Sequence, residues 1–405
     1  MSWLRSMFVL GVSLAVWAPT AAGADANASW PQWRGPKRNG TSTETGLLRE
    51  WRRVKPKVLW RANVGIGFSS FAVSNGLVYT LGNRSNTDTV YALSAKTGKP
   101  VWKYSYPCPI GAVRHEGGPY ATPTVDGDKV YTFSKQGKLI CFTAARGKIA
   151  WQADVAKLSG AKPPNYGFSS SPLMVGGLLI VNAGSNGLAL HKGSGRLAWK
   201  STGTGRAGHA SPVLFRGGGQ RCVVILAEGQ LSGVSPVDGR VFWMTALPKG
   251  TLSYKICDPV PLGGKLFISS SYKSVCSMYQ VTYDSIRELW KSRNLLTKML
   301  NPVVSSGYIY SSHRESMFRC IDPANGHIKW EKELAGNPIL VDDKCVILTV
   351  GGELILAKLS PSAFTEFGRF PVLDGKCWTP PALAGGKLYC RNAMGSVACV
   401  DIARR

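Results

Sequence analysis

The sequence predicts an all-β fold, an eight-bladed β-propeller of four-stranded antiparallel blades, and three observations predict it. A segment with a small residue, a glycine six positions on and a tryptophan ten positions on recurs at a period of roughly 40–50 residues. A polar residue followed by proline recurs ahead of each such segment. Between the two lies a glycine-rich turn signal of the kind that joins short hairpin strands. Composition agrees: 46 glycines and 24 prolines in 405 residues suit many short strands and tight turns. No long amphipathic helical pattern interrupts them.

The tryptophan-ended segments read ALSAKTGKPVW (Ala92 to Trp102), CFTAARGKIAW (Cys141 to Trp151), ALHKGSGRLAW (Ala189 to Trp199), GVSPVDGRVFW (Gly233 to Trp243) and CIDPANGHIKW (Cys320 to Trp330). The fifth unit keeps Trp290 but has lost the glycine, and the seventh ends in Phe370. These two blades are expected to be the least regular. The polar–proline pairs are Thr122-Pro123, Ser171-Pro172, Ser211-Pro212, Asp258-Pro259, Asn301-Pro302, Asn337-Pro338 and Thr379-Pro380, with Ser70-Phe71 in the same place in the first unit. Proline cannot donate to a ladder, so it marks the first residue of a strand. Eight turn signals follow, from Asn75-Gly76 to Gly385-Gly386. Each leads into a β-rich strand such as LVYTL (Leu77 to Leu81); a third strand carries the small residue and a fourth the tryptophan.

Trp60, in VLWRA, is a fourth strand with no three strands before it, whereas Trp378 to Ile402 supplies three strands and no fourth. Pairing the two closes a ring and removes both exposed edges. The expected organisation is therefore a signal segment at 1–24, an irregular arm at 25–55 packed on the rim, and a propeller at 56–405.

The signal reading rests on Arg5, the apolar run Met7 to Trp17 and the A-x-A site Ala22-Gly23-Ala24. It implies export to the periplasm, the cell surface or the medium. No cysteine follows the small residues, so a lipid anchor is not expected, and no later run is long enough to span a bilayer. The formal charge of +26 is scattered along the chain. It favours anionic partners, although a merely soluble basic surface explains it as well; export argues against nucleic acid. Ten cysteines in an exported chain raise the question of disulfides. Cys141, Cys320 and Cys399, however, fall in the column of Ala92, Ala189 and Gly233, a slot for a small buried side chain. A turn at Met394-Gly395 would set Cys390 opposite Cys399, the one pairing the pattern suggests.

The repeated segment resembles the tryptophan-docking motif A-x-D-x-x-x-G-K-x-x-W of pyrroloquinoline-quinone (PQQ) type propellers. The aspartate column is kept only at Asp322 and Asp401. The resemblance covers residues 60 to 402. It implies that Trp60, Trp102, Trp151, Trp199, Trp243, Trp290 and Trp330 are structural, each docking between blades. The opening WPQWRGPKRNGTSTETGLL (Trp30 to Leu48) resembles the leader of secreted PQQ-like repeat proteins of planctomycete-type bacteria. In plan the chain is similar to the propeller subunit of the outer-membrane β-barrel assembly machinery, and also to quinoprotein alcohol dehydrogenases.

The dehydrogenase likeness implies PQQ with calcium, a vicinal disulfide and carboxylate ligands. The chain has no Cys-Cys dipeptide, and its acidic residues do not cluster into the several oxygen ligands that a hard cation needs. Asp126-Gly127-Asp128 reads as a hairpin turn. The G-x-G-x-x-G run at 203–208 lacks the strand–helix context of a dinucleotide site. The five histidines show no paired metal spacing, and His191 falls in the aspartate column. No metal and no catalytic residue is assigned.

The unusual sequence lies in the loops joining the fourth strand of one blade to the first of the next. They bring His115, Tyr120, Tyr166, Arg206, His209, Tyr254, Lys255, Lys298 and Trp378 to one face. Aromatic and basic groups on a rigid scaffold suit an anionic or sugar-like ligand. The alternative is that Tyr166, Phe168 and Trp378 plug the channel mouth. The leading expectation is an exported, non-catalytic, monomeric scaffold that binds a protein or an anionic envelope polymer and needs no cofactor. A PQQ-dependent oxidoreductase with a divergent site and a polysaccharide-binding or processing protein remain as alternatives.

Overall fold

The structure is a computed structural model that describes residues 29–47, 49–161, 163–200, 205–247, 256–270 and 274–403. The signal segment therefore lies outside the described residues. Eight four-stranded antiparallel sheets form the blades of a propeller. Seven follow chain order, at 72–107, 124–154, 173–200, 213–246, 260–292, 303–333 and 336–371. The eighth joins Lys57–Asn63 to Ser396–Asp401, followed by Lys387–Arg391 and Ala382–Ala384. The N-terminal strand thus completes the C-terminal blade, as the unmatched Trp60 strand predicts.

The small-residue column faces the indoles directly. Ala92 pairs with Trp102, Cys141 with Trp151, Ala189 with Trp199, Gly233 with Trp243, Cys320 with Trp330 and Cys399 with Trp60. A register shift accompanies the pairing in each blade, the bulge that lets a large ring lie over a small partner. The indole N–H then donates to a carbonyl in the turn of the next blade: Trp60 to Ala95 (3.0 Å), Trp102 to Ala144 (2.7 Å), Trp151 to Lys192 (2.9 Å), Trp199 to Pro236 (3.0 Å), Trp290 to Pro323 (2.9 Å) and Trp330 to Ser360 (2.8 Å). The glycine of that turn lies against the ring. A Cβ on Gly147 would stand 2.5 Å from Trp102, on a backbone at φ +66°. In the fifth unit, which lacks the glycine, the bond is missing and Trp243 Nε1 is buried without a partner.

All ten cysteines are buried and unbridged. The suggested Cys390–Cys399 pairing fails on register. Cys390 lies opposite Ala398, and Cys399 opposite Tyr389. Neighbouring strand residues alternate faces, so the two thiols point to opposite sides of the blade.

Only the end of the arm lies on the rim, where the Arg52 N–H donates to the Phe367 carbonyl (3.1 Å) on the outer strand of the seventh blade and buried Trp51 lies against Gly368. The arm leaves the inner strands on the face of the first hairpin turns, where Glu44 accepts from the backbone N–H groups of Gly385 (2.9 Å) and Gly386 (2.7 Å). Before that point it runs along the innermost strands. Trp30 exchanges backbone bonds with Val73 in the first blade, and Gly40 and Ser42 bond Leu340 in the seventh. Arg34 donates to the Pro302 carbonyl, and Arg38 to those of Ser171 (3.1 Å) and Pro172 (3.0 Å). The rim expectation fails for residues 30–44 because the arm carries no periodicity and its partners there belong to seven separate blades.

Candidate functional site on the loop face

The polar residues that precede the strand-opening prolines form a ring around the axis. Each backbone N–H donates to the polar side chain of the next blade: Ser70 to Thr122 Oγ1 (3.1 Å), Thr122 to Ser171 Oγ (2.9 Å), Ser171 to Ser211 Oγ (3.0 Å), Ser211 to Asp258 Oδ1 (2.8 Å) and Asp258 to Asn301 Oδ1 (3.0 Å). Around the remainder, Asn337 Nδ2 donates to the Trp378 carbonyl (2.9 Å), and Ser70 Oγ to that of Pro380 (2.8 Å). The ring satisfies strand-end groups that a narrow channel would otherwise bury unpaired.

Asp258 is the one acidic member of this ring. Its Oδ2 accepts from the Trp33 indole N–H at 2.6 Å, so the arm lays its indole across the axis. Arg34 and Arg38 are buried beside it, 6% and 8% exposed. Burial pushes the Asp258 pKa up, while Arg34, Arg38 and the two N–H donors pull it back. Burial lowers Arg38 to about 10, so it stays charged at neutral pH.

Above this floor lies an open cavity of about 230 Å³, a cup on the loop face. Six of the nine residues expected on that face line it: His115, Tyr120, Tyr166, His209, Lys298 and Trp378. Arg206 does not; it is exposed and donates to Asn165 Oδ1 at 2.8 Å. Tyr254 and Lys255 lie outside the described residues. Phe168, considered as a plug, is instead core, 1% exposed and packed on Phe133 at 5.2 Å. Trp33 of the arm lines the cup and is held there by its bond to Asp258. Besides Trp33 and Asp258, sequence reasoning missed Phe68. Its place in the first unit's loop was the available signal.

The walls are a belt of rings. Phe68 stacks on Trp378 (5.6 Å, 24°) and on Tyr120 (6.0 Å, 6°). His115 stands edge-on to Phe68 (5.4 Å, 88°) and Tyr120 (5.8 Å, 87°), and lies 5.1 Å from Tyr166. Tyr166 in turn lies 5.9 Å from His209. These are the offset and edge-to-face spacings that aromatic quadrupoles favour. Two ammonium groups sit over the Trp378 ring, Lys376 at 4.4 Å and Lys298 at 4.9 Å. Each is ion-paired, Lys376 with Glu116 (2.8 Å) and Lys298 with Glu315. Lys298 reaches Trp378 past a whole blade because the loop entering the seventh blade is only two residues, Leu334 and Ala335. Burial lowers the His115 pKa against the pull of Glu116, and lowers His209 to about 4. Both imidazoles are therefore neutral at pH 7. His209 Nδ1 shares a 2.8 Å hydrogen bond with Ser169 Oγ.

A quinone–calcium site does not match these residues. Among the described residues Asp258 is the single carboxylate lining the cup, and both of its oxygens already accept hydrogen bonds. A hard cation needs several convergent oxygens, and no group of three or more candidate metal ligands occurs among the described residues.

Fold and site define a closed eight-bladed propeller that carries an aromatic, basic cup on its loop face, with the arm's Trp33 in its lining. The chain belongs to the family described as outer membrane protein assembly factor BamB, whose model matches residues 50–118 and 110–332. It is 21% identical over 374 residues to the outer membrane protein assembly factor BamB of Yersinia pestis, covering 89% of this chain and 82% of that one. A shorter match, 23% identical over 194 residues, is to the quinoprotein alcohol dehydrogenase PedH of Pseudomonas putida; it covers 45% of this chain and 31% of that protein. BamB from Moraxella catarrhalis superposes with a TM-score of 0.63 at 17% identity, over 86% of this chain and 98% of that one. The quinohemoprotein alcohol dehydrogenase of Comamonas testosteroni does so with 0.70 at 12%, over 94% and 82%. At these identities the structural likeness shows the fold alone. No helix among the described residues is long and apolar enough to cross a membrane.

Proposed function

We propose that the chain is an exported, non-catalytic propeller scaffold that binds a protein partner through its loop face. The observation that carries the reading is the cup itself: six residues from five inter-blade loops converge on one cavity over a floor tied by Trp33 and Asp258. Loops on a rigid frame are where recognition concentrates. Membership of a family described as assembly factors supports a protein as the occupant. An anionic envelope polymer is the second reading, favoured by the charge of +26.

Site-specific photocrosslinking tests the reading. A crosslinker at Arg114 or Tyr166, on the cup, should capture a discrete protein in cells of the source organism, whereas one at Arg287 on an outer strand should not. Equal capture from both positions, or none from any loop-face position, would overturn it. Titration of the purified protein with PQQ and calcium should give neither a bound quinone spectrum nor dye-linked alcohol oxidation. The appearance of both would move the chain to the dehydrogenases.

A further inference from the structure

We propose that the cup receives one aromatic side chain of the protein partner, presented by a segment with acidic residues beside it. The inference rests on the scaffold reading and names the chemistry of its contact. Three observations carry it. The first is size. At about 230 Å³ the cup falls below the ~300–1,000 Å³ of sites that enclose a whole small ligand. A single bulky side chain, with its backbone left outside, suits a cavity of that size.

The second is the wall. Phe68, Tyr120, Tyr166 and Trp378 offer faces and edges at centroid spacings of 5–6 Å, with the neutral His115 edge-on to Phe68 and Tyr120 among them. A further ring continues this lattice by offset or edge-to-face contact. An aliphatic chain would fill the space without those contacts. Buried aromatic anchors in fixed pockets are also the side chains that dominate protein interfaces. The pocket is already fixed: its floor is the Trp33–Asp258 bond at 2.6 Å, and its foundation is the inter-blade ring.

The third is charge. Lys298 and Lys376 hold their ammonium groups over the Trp378 ring, and Arg114, exposed, lines the opening. The paired Glu315 and Glu116 offset the two lysines, but Arg114 has no ion pair among the described residues, and Asp258 is outnumbered by Arg34 and Arg38 beside it. The potential over the mouth is therefore positive, which steers acidic segments toward the cup and repels basic ones.

The test uses a capped pentapeptide, Asp-Glu-Trp-Asp-Glu, with 5-fluorotryptophan at its centre, observed by fluorine NMR on the full mature chain. The fluorine line should broaden and shift in proportion to added protein. Alanine in place of the central residue should weaken binding about thirtyfold, measured by competition. Lysine in place of the four acids should abolish it, and salt should weaken the parent complex steadily. Trp378→Ala should remove binding and Trp378→Phe should keep most of it, which separates loss of the ring from loss of the fold.

An alanine peptide that competes equally well would overturn the proposal. So would displacement of the fluorinated peptide by galacturonate at a comparable concentration, which would assign the cup to acidic sugars. If the peptide fails while loop-face crosslinking still captures a protein, the anchor chemistry falls and the scaffold reading stands. If crosslinking fails as well, both fall.

Discussion

Replacing Asp258 by alanine should loosen the arm and destabilise the whole ring. Asp258 accepts two hydrogen bonds, from Trp33 Nε1 at 2.6 Å and from the Ser211 backbone N–H at 2.8 Å. It is also the carboxylate facing the buried guanidinium groups of Arg34 and Arg38. Bonds to a charged group contribute about 1.5–3 kcal/mol each. Removing one partner from a buried charge cluster costs about 3–5 kcal/mol, because the charge left behind has no compensation. These terms overlap, so about 4 kcal/mol is the expected total. With unfolding entropy of roughly 2.1 cal/mol/K per residue over about 380 residues, that lowers Tm by about 5 °C. Asp258→Asn keeps an acceptor oxygen for one donor, as Asn301 does in the next blade, and should lose about half as much. The assay is differential scanning calorimetry paired with limited proteolysis, in which the alanine variant should be cut earlier within residues 29–47. A Tm unchanged by Asp258→Ala, or equal losses for alanine and asparagine, would refute the assignment of the buried charge as the dominant effect.

Three further outcomes follow from the same geometry. Trp199→Ala, at a site 6% exposed and bonded to Pro236, should cost about 3–5 kcal/mol in chemical denaturation; Trp378→Ala, half-buried at the mouth, should cost clearly less, and equal losses would erase the distinction between ring-holding and cup-lining indoles. Gly147→Ala should destabilise more than Gly127→Ala: both have positive φ, but a Cβ on Gly147 meets the Trp102 ring at 2.5 Å, whereas one on Gly127 meets nothing within 4 Å. Histidine burial predicts a specific pH response. Burial holds His209 and His313 at about 4 in the folded chain, against roughly 6.5 when unfolded, so the unfolded state takes up protons first. Stability from these residues is fully present above pH 6.5 and is lost as pH falls from 6.5 toward 4; His209→Asn and His313→Asn should each flatten the fall in Tm over that window, and parallel Tm curves for variant and parent would contradict it.

The propeller was legible in the sequence because its determinants repeat. A small residue opposite an indole, a glycine under the next indole and a proline opening each strand are local constraints, copied blade after blade. The turn columns and the unmatched Trp60 strand were enough to count eight blades and close the ring. What the sequence concealed is non-local. The serine, threonine and asparagine before the prolines read only as strand starts, since their hydrogen bonds cross to the next blade some 40 to 50 residues away. Asp258 was hidden in that column. The arm's course was hidden for the same reason, because Trp33 and Arg38 each find partners in a different blade. Arg206 shows the opposite failure: it sits in the right loop, but its side chain turns outward to Asn165.

Arg391 gives the closing seam a kinetic meaning. This guanidinium, fully buried, leaves the last blade to donate to the carbonyls of Ser69 (2.8 Å), Leu81 (2.7 Å) and Gly65 (3.1 Å), all in or leading into the first blade. Its strand lies two places from Lys57–Asn63 in the same sheet, so residues more than 300 apart must meet before either side has a satisfied edge. Such contacts carry the greatest loop-closure cost and form late. A chain in which they had not yet formed would carry two unpaired strand edges, open to pairing with another chain. Closing the ring therefore protects both ends of the array at once.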